Sequence, residues 1–261
     1  MNKRHRQTAR RSGTTSERKK IYFFSDAHLG IGSADEDRDK EQRIIRFLNF
    51  VQQDAEQLFI VGDLFDYWFE YRSVVPKGYV RLMGALARVT DSGIGVTFVA
   101  GNHDFWHRDY FVRELGIEVC LDPIERIIAG KRFYIHHGDG LIKDDRGYRI
   151  LKRILRNRFN IWLFSLLHPD LAGSLARWSS GTSREYTTRR TYEDQDMTEF
   201  AASRIQEGFD FVVMGHHHHS VLKRLDKGIY VNLGDWMREN AYAVFDGGTL
   251  SLRTWKVGTH G

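Results

Sequence analysis

The sequence predicts an α/β fold in which two mixed β-sheets pack face to face with helices outside, plus a helical insertion between the halves. Three observations predict it. The first half alternates short apolar runs with segments of helical spacing, the pattern of a sheet flanked by helices. The second half carries a series of short apolar runs, which reads as a second sheet. Residues 141–193 follow neither pattern.

Residues 21–25, IYFFS, form the first expected strand, and QRIIRFLNFVQQ (42–53) has helical spacing. LFIV (58–61) is a second strand, a helix spans 78–90, and VTFVA (96–100) is a third strand. IERII (124–128) and RFYIH (132–136) are split by Ala129-Gly130-Lys131, which predicts a hairpin. From 209 onward FDFVVMG, KGIYVNLG, AYAVFDGG and TLSLRTW read as further strands, and all four are expected in the second sheet. No repeat of fixed period and no linker divides the chain, so residues 21–257 are read as one domain.

The segment 141–193 holds eleven Lys/Arg against five Asp/Glu. Tyr148, Leu151, Leu155, Phe159, Trp162, Leu163 and Leu166 recur at three- and four-residue steps, while Arg149, Lys152, Arg153 and Arg156 fall largely off that stripe. Two readings fit: an amphipathic helix docked on the sheet, or a cap that receives an acidic, lipid-like substrate.

Composition bounds the rest. The chain has 261 residues, 41% hydrophobic and 13% aromatic, enough for a sizeable core. No apolar run approaches the ~18 residues of a membrane span, and no apolar leader is expected at the start. A single cysteine, Cys120, forms no internal disulfide and fits a reducing, cytoplasmic setting. The net charge of +5 is unevenly placed. Residues 1–20 hold eight Lys/Arg and one Glu, so the other 31 Lys/Arg and 33 Asp/Glu leave the domain slightly acidic. The tail is expected to be disordered. It reads either as a solvated extension or as a group attracted to nucleic acid or an anionic membrane, and its Arg-rich, acid-poor composition resembles a transit peptide.

Five motifs carry chemistry, each just after an expected strand. Asp26-Ala27-His28 places a carboxylate and an imidazole two residues apart. Gly62-Asp63-Leu64-Phe65-Asp66 puts Asp63 at a strand's carboxyl end, where open sheets bind ligands; Asp66 is either a further ligand or a residue that orients one. Gly101-Asn102-His103-Asp104 offers a neutral, hard amide oxygen. His136-His137-Gly138-Asp139 closes the hairpin. Gly215 precedes His216-His217-His218-His219; alternation on extended chain would turn His216 and His218 one way and His217 and His219 the other. Asp, Asn and His converging at strand ends is the signature of a metal site.

In their order (DxH, GDxxD, GNHD, HGD, GHxH) these motifs resemble the calcineurin-like metallophosphoesterases from Asp26 to His218. GDLFDYWFEY, GNHDFW, HHGDGLIKDDRGY and YVNLGDW resemble the UDP-2,3-diacylglucosamine pyrophosphatases of lipid A biosynthesis, over roughly residues 20–257. The resemblance implies one divalent cation on Asp26, His28, Asp63 and His218, and a second on Asp63, Asn102, His137 and His216, with Asp63 bridging. Imidazole and oxygen ligands admit Mn²⁺, Fe or Zn²⁺; the family favours Mn²⁺. It implies hydrolysis of a nucleotide-lipid at the cytoplasmic face of the inner membrane, with Asp63 and His103 catalytic and Asn102, His103, Asp145, Tyr148, Ser180 and Arg184 on the substrate. His103 stands where many members carry Arg. Tyr67-Trp68 replaces the Arg-Gly that follows GDxxD in the protein-phosphatase branch. The rival readings are a general phosphodiesterase or nuclease, for which the acidic domain offers no basic groove, and a non-catalytic metal-binding scaffold, for which a ligand should be missing.

Overall fold

A computed structural model describes residues 20–141, 146–175 and 193–256. The chain forms a helix–sheet–sheet–helix sandwich. The first sheet is built on β1 (Lys20–Phe24), β2 (Ala55–Val61), β3 (Gly95–Val99) and β4 (Glu118–Cys120), which run parallel. The second holds β5 (Ile124–Ile128), β6 (Lys131–His136), β7 (Phe211–Met214), β8 (Ser220–Leu225) and β9 (Gly228–Leu233), in the order β5-β6-β7-β9-β8. β6, β7 and β9 are parallel, and β5 and β8 close the edges antiparallel.

Strand alternation divides the core. Ile21, Phe23, Phe59, Val61, Phe133, Ile135, Phe211 and Val213 point between the sheets. Their neighbours Tyr22, Phe24, Leu58 and Ile60 point outward, onto α1 (Ala34–Val51) and α2 (Val80–Asp91). On the opposite outer face, Tyr134, Val212 and Met214 pack against Met197, Ala201 and Ile205 of α7 (Glu193–Gln206). Strands buried on both faces read as continuous apolar runs, which is why they were legible in sequence.

Some boundaries and one assignment differ from the sequence reading. β10 (Ala241–Phe245) and β11 (Leu250–Thr254) do not join the second sheet: β10 pairs antiparallel with β1 and β11 with β10, giving the order β11-β10-β1-β2-β3-β4. β1 is buried on both faces, and an unpaired edge there would leave its backbone groups unsatisfied; the fully buried β10 covers it. α1 begins at Ala34, not 42, because Ser33 caps it and Glu36 returns a bond to the Ser33 backbone. Its first turn, Asp35-Glu36-Asp37, has no apolar residue to reveal it. α3 (Tyr110–Leu115), β4, β8 and α7 were not read from the sequence.

The insertion is helical where described, but not as one helix. α4 (Arg146–Leu155) stops, Asn157 accepts from the Phe159 and Asn160 backbone, and α5 (Arg158–Phe164) begins; a further helical stretch, α6, covers 169–175. Its stripe is not docked on a sheet: Phe159 is 64% exposed, Trp162 53% and Leu166 63%. No described helix is long and apolar enough to cross a membrane. The basic tail, apart from Lys20, lies outside the described residues.

Phe133 sits at the centre of the intersheet layer, fully buried, with ring centroids of Phe211 at 4.6 Å and Phe245 at 5.1 Å. Phe133→Ala is expected to cost about 3–5 kcal/mol in urea unfolding. A loss under about 1 kcal/mol would show that the two sheets do not depend on this layer.

Candidate metal centre

Parallel pairing within each sheet brings the carboxyl ends of β1, β2, β3, β6 and β7 to one rim of the sandwich, and each of the five motifs starts there. The loops turn sharply. Asp26, His28, Asp63, His216 and His218 all have φ between 43° and 73°, the left-handed region that non-glycine residues rarely occupy. Such backbone persists where surrounding structure enforces it, and it clusters at functional sites. His216 and His218 therefore reach the rim through a turn, not through the strand alternation inferred from the sequence. His217 donates its backbone N–H to the Gly215 carbonyl, and His219 is exposed beside Glu239.

Two glycines permit the close approach. A side chain at Gly101 would collide with the Asp63 carboxylate, and one at Gly215 with the Asp26 carboxylate. The residues that follow them, Asn102 and His216, are thereby laid against the opposite loop.

Among the described residues, three groups have ligand atoms that all lie within 4.8 Å of one another: Asp26, His28 and His218; Asp63, His137 and His216; and His28, Asp63 and His103. His28 Nε2 faces His218 Nε2 at 3.1 Å. His137 Nε2 faces both Asp63 Oδ2 and Asn102 Oδ1 at 3.2 Å. The Asp26 and Asp63 carboxylates and the His28 and His137 rings are buried. Asp26 Oδ1 has His218 Nε2 at 3.3 Å and His28 Nε2 at 3.7 Å but accepts no aligned hydrogen bond. Imidazole nitrogens, carboxylate oxygens and an amide oxygen converging at one place suit a divalent cation of borderline or hard character.

Electrostatics agree. Burial works against ionising Asp26, yet His218 and His28 hold its carboxyl far below the usual range. Burial likewise opposes ionisation of Asp63, and His137 and His103 outweigh it. Burial opposes protonation of His28, but Asp26, Asp66 and Asp63 raise it to about 9; for His137, Asp63 overcomes burial and raises it to about 10. Burial, with the His137 charge, pushes His216 down to about 3. Two buried carboxylates thus favour positive charge beside them, which protons on His28 and His137 or a bound cation would supply.

An outer ring holds these groups in place. His137 Nδ1 lies 2.9 Å from the Val61 carbonyl; a carbonyl only accepts, so the proton sits on Nδ1 and Nε2 is turned to Asp63. Asp66 Oδ1 stands 3.6 Å from His28 Nδ1, and the Asp66 carbonyl is 3.0 Å from His103 Nδ1. The His103 backbone N–H donates to Asp63 Oδ1 at 2.9 Å. The Tyr148 hydroxyl donates to Asp139 Oδ2 at 3.2 Å. Asp145, Ser180 and Arg184 lie outside the described residues.

Sequence reasoning passed over several supports. Asp104 is buried and accepts from the backbone N–H of Asp63, Phe65 and Gly101, tying two motif loops together. Asn232 Nδ2 donates to the Gly215 carbonyl, and the Trp236 N–H to the Asp26 carbonyl. Lys40, buried on α1, donates to the His28 carbonyl at 2.7 Å. The available signals were the acid that closes GNHD and the polar residues within YVNLGDW.

The profile of the calcineurin-like phosphoesterase family matches residues 19–220. The chain belongs to the calcineurin-like phosphoesterases. It is 37% identical to a protein of Porphyromonas gingivalis named UDP-2,3-diacylglucosamine hydrolase, across 91% of this chain and 98% of that one. A protein of the same name from Ectopseudomonas mendocina is 30% identical, across 87% of this chain and 94% of its own. A solved phosphoesterase from E. coli aligns with a TM-score of 0.45 and 18% identity, covering 89% of this chain and 91% of that one. The chain is thus a metal-dependent phosphoester hydrolase, and its His/Asp clusters are candidates for holding divalent cations.

Cations bind neutral imidazole. In the metal-free protein at pH 7.5, below the values of about 9 and about 10 for His28 and His137, both rings are protonated. Loading metal should therefore release about two protons, and affinity should fall as pH falls. Calorimetric titration in two buffers of different ionisation heat measures this, and identical apparent enthalpies in both would contradict it.

Proposed function

We propose that this phosphoesterase cleaves the pyrophosphate bond of UDP-2,3-diacylglucosamine, releasing UMP and 2,3-diacylglucosamine 1-phosphate in lipid A biosynthesis. The observation that carries the reading is the junction of two features: the His/Asp clusters at the sandwich rim, and the apolar-faced helices α4 and α5 fastened beside them. Trp106, from the GNHDFW segment, donates to the Leu155 carbonyl and stacks on Phe164 at 5.4 Å. Leu151, Phe159, Trp162, Leu163 and Leu166 are exposed on the insertion. A phosphate-handling rim beside exposed apolar helices suits a substrate with a diphosphate and acyl chains. The names of the P. gingivalis and E. mendocina relatives support the same substrate.

In this reading Asp26, His28, Asp63 and His218 would hold one cation and Asp63, Asn102, His137 and His216 the other, with Mn²⁺ the preferred ion. When bound, two such cations supply an activated water and a positive clamp for phosphoryl oxygens. The protein's own groups do the rest. Asp63 is shared between both positions. His103, fixed by Asp66 and beside Asp63, is placed to offset charge on the leaving sugar phosphate, itself a good leaving group. Tyr148, with Asp145, Ser180 and Arg184, would contact the head group. Residues 141–193 act as a cap at the membrane surface, with the basic tail 1–20 adding attraction to anionic lipid at the cytoplasmic face.

Purified protein with Mn²⁺ and UDP-diacylglucosamine should release UMP, and Asp63→Asn should lower that rate by more than about 100-fold, beyond the usual loss from an outer-shell ligand partner. Brisk cleavage of cyclic or oligonucleotide phosphodiesters without UMP release would favour the phosphodiesterase or nuclease reading. Replacing Phe159 and Trp162 together with polar residues should impair turnover of long-chain substrate and spare folding, since both are exposed. Full activity from a folded double variant would remove the cap role.

A further inference from the structure

Arg156, just past the end of α4, reaches three loops of the sandwich. Its Nη2 donates to the Gly101 carbonyl at 3.1 Å, and its Nη1 to the Leu121 carbonyl at 3.1 Å. Nη2 is 3.5 Å from Asp139 Oδ2, and the guanidinium lies over the Phe105 ring at 5.1 Å from its centroid. Gly101 immediately precedes Asn102, Phe105 follows it by three residues, and Asp139 lies two past His137. Lys152, one helical turn earlier, places Nζ 2.7 Å from Asp139 Oδ2 and donates to the Asp139 carbonyl at 3.1 Å. Tyr148, a turn earlier again, bonds the same carboxylate. Asp139 is 2% exposed, so this is an enclosed cross-brace, not a surface ion pair.

The brace is one-sided. Among the described residues, these contacts of Arg156 and Lys152 reach the loops of Asn102 and His137 and the turn at Leu121, and none reaches the loops of Asp26, His28 or His218. We propose that Arg156, with Lys152 and Asp139, couples docking of the cap helix α4 to the cation position formed by Asn102, His137, Asp63 and His216, so that loading that position and seating the helix reinforce each other. Arg156 is a positioning residue in this scheme and touches neither cation nor substrate. Coupling of this kind is reciprocal: whatever seating the helix adds to cation affinity, the cation returns to the helix. The inference rests on the cation assignment given above but not on the identity of the lipid substrate.

The test is Mn²⁺ titration of the metal-free protein by calorimetry, with amide hydrogen exchange of residues 146–155 followed with and without Mn²⁺. Arg156→Ala should weaken one of two binding events by about 10-fold, within the usual range for coupled sites, and leave the other unchanged. In the unaltered protein Mn²⁺ should slow exchange in α4; in the variant that slowing should shrink. Arg156→Lys should recover little, because an ammonium cannot hold two carbonyls in a fixed fork. Should Arg156→Ala fail to fold by circular dichroism, Lys152→Met carries the same two readouts. Equal weakening of both events, or exchange in α4 indifferent to Mn²⁺, overturns the coupling. If both readouts behave as expected while UDP-diacylglucosamine is not turned over, the substrate reading fails and the coupling stands.

Discussion

The structure depends on keeping two buried carboxylates, Asp26 and Asp63, ionised. Both are buried, and each sits among imidazoles rather than solvent. An isolated buried carboxylate would take up a proton, because desolvation penalises its charge heavily. Here His28, His137 and His218 reverse that outcome. The same arrangement raises His28 and His137, so without a cation these two rings carry the balancing positive charge as protons. Cations and protons compete for one set of atoms, and the fold is built to hold those atoms regardless of which is present.

That requirement explains the architecture at the rim. Parallel strands deliver their carboxyl ends to one side, and two sheets packed face to face bring loops distant in sequence together. Asp26 and Gly215 come from different sheets, yet the His216 N–H donates to Asp26 Oδ2 at 2.9 Å. Each such approach needs the loops to turn at once after the strand. Left-handed backbone at five of the candidate ligand residues is the cost, and Asp104, Asn232 and Lys40 supply hydrogen bonds that hold it. Among these, Asp104 is itself pushed up in pKa by burial and by Asp63, so its three backbone donors offset a local electrostatic penalty.

Legibility in the sequence followed physical lines. Strands buried on both faces, such as β1 and β7, announced themselves as unbroken apolar runs. The motifs announced themselves because glycine and polar residues interrupt those runs at once. Sheet membership of β10 was not legible: AYAVF and GIYVNL have the same apolar character, and only three-dimensional pairing shows that β1 needed a neighbour. The first turn of α1 was hidden by its acids. The histidine run was legible as a convergence but not as geometry, since a repeated residue carries no sign that φ turns positive at His216 and His218. Orienting residues were the hardest, because Asp104 and Asn232 act through backbone atoms of distant loops.

The insertion shows why periodicity alone left two readings open. A stripe at three- and four-residue steps says that a face is apolar, not what covers it. In the described residues the stripe is broken at Asn157, and Phe159, Trp162, Leu163 and Leu166 remain exposed while Tyr148, Lys152 and Arg156 turn inward to Asp139. α4 is fastened to the sandwich by the edge that carries Tyr148 and Lys152, continued by Arg156, while Leu151 and Leu155 face outward. This inverts the usual amphipathic helix, which hides its apolar face and offers its charges to water. An apolar face left outward beside a phosphate-handling rim is costly in water unless something apolar comes to meet it. In the proposed function, a diacylated substrate, half in lipid and half in water, would meet both sides of that helix at once.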